Sequence, residues 1–529
     1  MKIRSRWIIG PVLAAAVATA ILLPGSASSG PSGSAVLARQ LNVELGNAKA
    51  KKFEQHVSSG VMYALLAANG VLDKRASAQK GSGPDKKTLG CANKFPQEQI
   101  RVNQDCSFRR QAEEVVAVNP TDGKNLVAGQ NDSSIGFNHC GYDFSFDQGK
   151  SWGSLIPPFY QFFLGDGHTA DACSDPTATF DADGNAYIGG ILFQAGSSVA
   201  NAVVVEKSNA PIGGAFYHTP NSALSFQTYR ANPLGVIASD NNPCIFNDKE
   251  LMVADSGAAS PKKNNVYMTW TRFNDCTGQG VGSNSPIYFS QSTNGGSTWS
   301  SGVEISGANA TNCTAFSGEA AASACDQDQG SHPIVGPDGT IYVAFGNGNT
   351  PTAGLNQHMV VKCPSGSNCS LSSSWLGPYK ISDDYGVQPF GPDAASGCPG
   401  GRQCLPPNGY RLDDFVEGSI SVDSSGRLYA VWADGRDIAA NCHPNGSVAG
   451  AVPPCDNDVF YEYSLNGGVT WSATKKLTPA GSAQWQPWSA VSSDGKKLFV
   501  AYYDRQYGSC ESTGCNDVSA AEILARPRS

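Results

Sequence analysis

Six positions along the chain stand at the same distance from a turn: Glu114, Asp175, Asp248, Gly330, Glu417 and Gln486. Four of them are carboxylates. A ring of carboxylates can bind a cationic or hydroxyl-rich ligand, or divide the work of an acid and a base; the plainer alternative is that each satisfies nearby backbone amides. Three arginines follow similar runs, Arg272 after Trp270-Thr271, Arg436 after Trp432-Ala433-Asp434-Gly435, and Arg505 after Tyr502-Tyr503-Asp504. A guanidinium fork grips a carboxylate through two bonds, so these could hold an acidic substrate. Arg436 and Arg505 could equally pair with Asp434, Asp437 or Asp504 and tie strand ends together.

Other nominal motifs carry less. Gly149-Lys150-Ser151-Trp152-Gly153 has the Gly-x-Ser-x-Gly form of a nucleophile elbow, but that elbow needs a strand leading into a helix and this one lies on a hairpin turn. The seven histidines include no His-Glu-x-x-His, and no phosphate-cradling glycine loop precedes a helical pattern. Asp326 and Asp328 in Asp-Gln-Asp-Gln-Gly have a calcium-like spacing without the third ligand or the distant Glu of a full loop. No cofactor is therefore expected.

The elements that must position these residues come as a repeat. An extended run, an Asp-Gly turn or a relative of it, and a second run rich in aromatics recur from Glu114, Asp175, Gly330, Glu417 and Gln486, with a looser copy from Asp248. Six copies, each long enough for four antiparallel strands, predict an all-β six-bladed propeller, a ring in which sheet edges are short or covered. In such a ring the first strand of every repeat lines the axis, and the six aligned residues surround the channel mouth. An outer strand near Ile100-Arg101-Val102 is expected to complete the last blade.

Three repeats carry a further turn: Ser145-Phe146-Asp147-Gln148-Gly149-Lys150-Ser151-Trp152, Ser292 to Trp299, and Ser464 to Trp471. The Asp or Asn can bond turn amides, the glycine can take positive φ, and the indole can pack between sheets. This pattern, Ser-x-Asp/Asn-x-Gly-x-Ser/Thr-Trp, resembles the Asp-box (BNR) repeats of the sialidase, or neuraminidase, superfamily over about residues 95 to 525. The resemblance implies an arginine triad for the sialic acid carboxylate, a tyrosine nucleophile activated by a glutamate, and an aspartate acid/base. Glu417, Arg436 and Arg505 match the glutamate and two of the arginines in order and rough spacing, with Arg272 as a further substrate-binding candidate. The family's first arginine motif is missing; Arg101, Arg109 and Arg110 are the nearest substitutes. Asp175 is the acid/base candidate, with Asp166 and Asp171 as alternates. Tyr502 and Tyr503 are the nucleophile candidates, beside Tyr385 and Tyr410.

The chain has 529 residues with 59 glycines, 31 prolines and 16% charged residues, which disfavours helical bundles and coiled coils. A net charge of −8 and the lack of basic runs past the start argue against a nucleic-acid or anionic-membrane partner. Residues 1–28, with Lys2, Arg4 and Arg6 before an apolar run, read as a signal peptide; residues 29–90 read as a helical leader or propeptide with a linker, and 91–529 as the propeller. Sixteen cysteines fit an oxidising, extracellular compartment. They are expected to pair as neighbours: Cys91 with Cys106, Cys140 with Cys173, Cys244 with Cys276, Cys313 with Cys325, Cys363 with Cys369, Cys398 with Cys404, Cys442 with Cys455, and Cys510 with Cys515. Two functions follow: a secreted sialidase-like glycosidase acting on a glycan or glycoconjugate, without stable membrane insertion, or a non-catalytic propeller that binds glycan or protein at the channel mouth.

Overall fold

The computed structural model describes residues 34–48, 56–71, 100–103, 111–133, 138–155, 157, 159, 162–196, 199–215, 234–275, 283–315, 323–350, 355–385, 403–405, 410–412, 418–437, 457–478, 484–492, 494–504 and 517–524. Short alternating runs broken by Asp-Gly turns fold as antiparallel meanders, each running from an inner to an outer strand. The first is β1 (Gln111–Val118), β2 (Leu126–Asp132), β3 (His139–Ser145) and β4 (Gly153–Leu155); the second is β5 (Ala172–Phe180), β6 (Ala186–Phe193), β7 (Asn201–Ser208) and β8 (Gly235–Asp240). The third has five strands, β9 (Ile245–Ala254), β10 (Val266–Asp275), β11 (Ser283–Asn284), β12 (Ile287–Ser292) and β13 (Val303–Glu304). The fourth is β14 (Asp328–Val335), β15 (Ile341–Asn347), β16 (Asn356–Cys363) and β17 (Leu376–Asp384). A small hairpin, β18 (Gln403–Leu405) and β19 (Tyr410–Leu412), precedes the fifth sheet, β20 (Gly418–Val422), β21 (Leu428–Asp434), β22 (Asp458–Ser464) and β23 (Lys475–Lys476). The last sheet has three strands, β24 (Gln484–Val491), β25 (Lys497–Asp504) and β26 (Asp517–Leu524).

The fold is an all-β propeller, with a correction to its count. Among the described residues five sheets are complete blades rather than six, and the last shows three strands. The outer strand expected from Ile100-Arg101-Val102 is not a ladder: Ile100 makes one isolated bridge and residues 101–103 are irregular. One bridge fixes a contact but not a register, so it does not complete a blade.

Apolar side chains fill the spaces between blades. Val127, Tyr142 and Phe180 pack the first blade on the second, Tyr267, Phe289 and Phe345 the third on the fourth, and Tyr342, Val360 and Trp432 the fourth on the fifth. The three Trp-bearing turns share one set of bonds. Ser145, Ser292 and Ser464 donate from Oγ to Asp147, Asn294 and Asn466 and accept the amides of Gly149, Gly296 and Gly468. Trp152 and Trp471 return their indole N–H to the carbonyls of Gly149 and Gly468, each 3.0 Å away. Gly296 and Gly468 hold φ of 83° and 81°, and a Cβ at Gly296 would sit 2.9 Å from the Tyr187 ring of the second blade. These turns therefore clamp neighbouring blades, and Ser151, bonded to Asp147, belongs to one of them.

Cys140–Cys173, Cys313–Cys325 and Cys363–Cys369 are bridged, and Cys244 is also disulfide-bonded. Cys91, Cys106, Cys276, Cys398, Cys442, Cys455, Cys510, Cys515 and the side chain of Cys404 lie outside the described residues. Two helices precede the propeller, α1 (Ala35–Glu44) and α2 (Ser59–Ala68), capped by Ser34 and Ser58 through their side chains. They do not stand apart. Val36, Leu37, Val57, Val61 and Leu65 join Phe193, Phe246 and Phe273 of the second and third blades in one core. None of the described helices is long and apolar enough to cross a membrane.

Candidate functional site

The inner strands share a defect at the same end. β1, β5, β9, β14 and β24 each slip register by a bulge, and within it Glu113, Asp175, Lys249, Gly330 and Gln486 take φ of 58°, 55°, 54°, 67° and 49°. Left-handed backbone at a non-glycine residue is costly and uncommon, so its repetition marks a feature of the ring. The bulge redirects those side chains at the channel mouth. Two expected positions are thereby corrected by one residue: the bulge residue is Glu113, not Glu114, and Lys249, not Asp248. Aligning on the Asp-Gly turn hides this, because the turns of the first and third blades are longer than the others.

Glu113, Asp175, Asp248, Lys249 and Glu250 form one buried group. Lys249 Nζ lies 3.0 Å from Glu113 and 3.9 Å from Asp175, while the Lys249 amide donates to Asp175 over 3.3 Å. Asn131 ties two blades together here, donating its amide to Glu113 and accepting the Asp175 N–H at 3.0 Å. Asp175 is 5% exposed, Asp248 0% and Glu250 1%, and neither Glu250 carboxyl oxygen has a hydrogen-bond partner among the described residues. Four carboxyls share one ammonium. Burial, then the adjacent Glu113 charge, holds the Asp175 carboxyl well above the usual carboxylate range, and burial raises Glu250 likewise. Burial pushes Asp248 up to about 6, against hydrogen bonds from Asp175 and the Ser58 amide that favour its charge. The group therefore keeps protons near neutrality, and Lys249, Asn131 and the Ser59 amide all bond to Glu113. A protonated carboxyl in contact with an ionised one is the pairing that general acid–base chemistry uses.

The mouth is closed by α2. The Ser58 amide donates to Asp248 over 2.7 Å and the Ser59 amide to Glu113 over 3.0 Å, so the positive end of the helix dipole faces the acids. Behind the bulges, β1, β5, β9 and β14 line a cavity of about 280 Å³ along the axis, with Val116, Val118, His332 and Trp488 on its wall. Trp488 stacks on His332 at 4.5 Å and remains half exposed.

The arginines sit elsewhere and are engaged. Arg436 donates Nε and Nη2 to Asp434 at 2.9 and 2.7 Å, Nη2 to the Asp383 carbonyl at 2.7 Å, and Nη1 to Thr474 at 2.9 Å. Its plane lies among Phe460, Trp432 and Tyr385, at 4.8, 5.2 and 5.4 Å. Arg272 pairs with Asp240 at 3.0 Å and stacks on Tyr288. Each is a tie between strands, as the adjacent acids allowed. Glu417 and Arg505 lie outside the described residues. Tyr502 packs in the core between the last two sheets and Tyr503 stacks on Trp485. Gln486 and Glu114 are exposed, and Asp166 and Asp171 accept turn amides from His168 and Ala195. Asp326 and Asp328 accept from Asn349 and Asn347, and among the described residues no group of three or more His, Cys, Asp or Glu is placed to hold a metal ion.

Glu113, Lys249, Glu250 and Asn131 are the residues that sequence reasoning missed. One signal was available: Asp248-Lys249-Glu250 is a run of three charges in the middle of a strand that is otherwise largely apolar.

No family model matches the chain, and no curated protein does. Among solved structures it is similar to a protein of unknown function from Dyadobacter fermentans DSM 18053, at TM-score 0.40 and 11% identity over 79% of this chain and 95% of that one. It is also similar to the Hadza microbial sialidase Hz136 (TM-score 0.37, 12% identity, 74% of this chain) and to a Trypanosoma rangeli sialidase bound to the inhibitor DANA (TM-score 0.37, 10% identity, 78% of this chain). The chain spans 63% and 55% of those two sialidases. At such distance the chemistry must be argued from the residues.

Proposed function

We propose that this chain is an exported propeller that hydrolyses a glycosidic bond at its axial mouth. Asp175 is the proton donor, and Glu113, held ionised by Lys249, is its partner carboxylate. The observation that carries this reading is the convergence of Glu113, Asp175 and Lys249 from three bulged inner strands on one cluster, in which burial holds the Asp175 carboxyl well above the usual carboxylate range. The Asp-box-like turns support a sialidase-type ring, with a sialoside as the first substrate to try. The charge of the mouth favours a neutral or amine-bearing sugar beside it, since Arg436 and Arg272 are already paired. The three bridges support an oxidising compartment.

A panel of fluorogenic glycosides, with the sialoside beside neutral and amino sugars, tests it. At least one is expected to turn over, and Asp175→Asn should lower kcat at least 100-fold with little change in KM. Folded protein inactive across the panel would favour the second reading, a propeller that only binds its glycan, which the capping of the mouth by α2 also supports.

A further inference from the structure

The described residues of the leader form helices and no strand, yet α2 sits where the inner strands of four blades converge. Its contacts come from separate blades: Ser59 to Glu113 in the first, Ser58 Oγ to Ser174 in the second at 3.4 Å, and Ser58 N–H to Asp248 in the third. The His56 backbone pairs with the side-chain amide of Gln329 in the fourth. The fit leaves no slack. A Cβ on Gly60 would sit 2.0 Å from Ser174 Oγ and 2.2 Å from Asn131 Nδ2, so only glycine brings the helix end this close.

What α2 presents to the acids is chemically specific. It offers two adjacent N–H donors and the positive end of a helix, with no acceptor aimed at the carboxyls. Vicinal hydroxyls of a sugar, or an ammonium, would make the same bonds to Glu113 and Asp248. Beneath the helices lie Phe193 and Phe246, edge to face at 5.7 Å and fully buried now. With the leader away, an aromatic wall would stand beside the carboxyls, which is the composition that stacks a sugar face and bonds its hydroxyls.

We propose that residues 34–48 and 56–71 are an intramolecular plug, in which the α2 N-terminus stands in for a donor-rich glycan ligand and competes with it for the mouth. The competition, though not the docking, rests on the glycan reading above. While the plug is in, its amides occupy Glu113 and Asp248, so a glycan reaches the mouth only during transient opening; withdrawal uncovers both.

The test uses the full chain. Gly60→Val should expel α2 by steric conflict, and Val61→Asp should do so by placing a charge in the leader's own core contact, neither altering a propeller residue. Hydrogen exchange read by mass spectrometry should show protection lost over 56–71 and around Asp175 and Lys249, with the blade ladders unchanged. A glucosamine trimer is the binding probe, with sialyllactose as its acidic counterpart. Both variants are expected to bind the trimer at least tenfold more tightly than the wild type, and a synthetic 56–71 peptide should reverse the gain. Unchanged protection in both variants overturns the plug, as does release without any gain for the trimer. Release and binding without turnover of any glycoside would keep the plug and sink the hydrolase; equal turnover by wild type and Gly60→Val would keep the hydrolase and sink the plug.

Discussion

Two regions bury charge in opposite ways. Around Arg436, between the fourth and fifth blades, each donor of the guanidinium finds an acceptor and its faces are covered by rings. At the mouth beside the first three blades, four carboxyls crowd one lysine, and neither Glu250 carboxyl oxygen has a hydrogen-bond partner among the described residues. The first arrangement is what stability alone would select. The second costs free energy on folding, and such sites persist where the protons they trap have a use or where a ligand completes them. Charge burial by itself is thus a poor guide to function; the balance of donors and acceptors is the better one.

The largest effect that would test this contrast is at Arg436. Arg436→Ala would strand Asp434, 1% exposed, without its main partner, and should lower unfolding free energy by about 3–5 kcal/mol in a denaturant titration. A loss under ~1 kcal/mol would mean the tie is ornamental. At the mouth the sign should reverse: Asp175→Asn removes an acid already neutral in the fold, and stability should stay level or rise by up to ~1 kcal/mol while activity falls.

The acidity of the two regions should also separate. Asp248, Asp175 and Glu250 bind protons more tightly folded than unfolded, so the stabilisation they give is full below about pH 4 and is lost as pH rises through their folded values. For Asp248 that window closes near pH 6; the others extend it upward. The unfolding free energy, read by denaturant titration, should therefore fall between pH 4 and pH 7, with Glu113, Asp175, Lys249 and Glu250 as the groups facing Asp248. A flat profile, or one that rises, would contradict the protonation described for the mouth.

Smaller differences test the framework that both regions share. The Cys140–Cys173 bridge spans 33 residues and ties the first blade to the second, whereas Cys363–Cys369 closes only 6. Loop entropy makes removal of the longer one worse by about 1.5 kcal/mol, measurable by comparing the paired Cys→Ala variants. Trp471→Ala should cost ~1–3 kcal/mol, less than a fully buried indole would, because that ring is only half covered and gives up one bond to Gly468.

The ring was legible in the sequence because its signals are local. An Asp-Gly turn and a Ser-x-Asn-x-Gly-x-Thr-Trp turn declare themselves within ten residues, and cysteines six or twelve apart suggest their own pairing. The ion pair of Arg436 was half visible, since Asp434 stands two residues away. What could not be read was where an extra residue enters a strand: Glu113 and Glu114 are indistinguishable until the ladder shows which is bulged. The docking of α2 was equally hidden, because Ser58 and Asp248 are 190 positions apart and neither carries a motif.

That separation has a consequence for the order in which the molecule is made. The leader is synthesised before the blades, yet its seat is assembled from Glu113, Ser174, Asp248 and Gln329, so it has nowhere to settle until four blades exist. Blades arriving later meet a surface already standing, as when the turn at Gly467 receives Lys362 of the blade before it over 2.7 Å. A segment that emerges ahead of the ring is thus among the last to come to rest, and its arrival reports that the blades beneath it have been built.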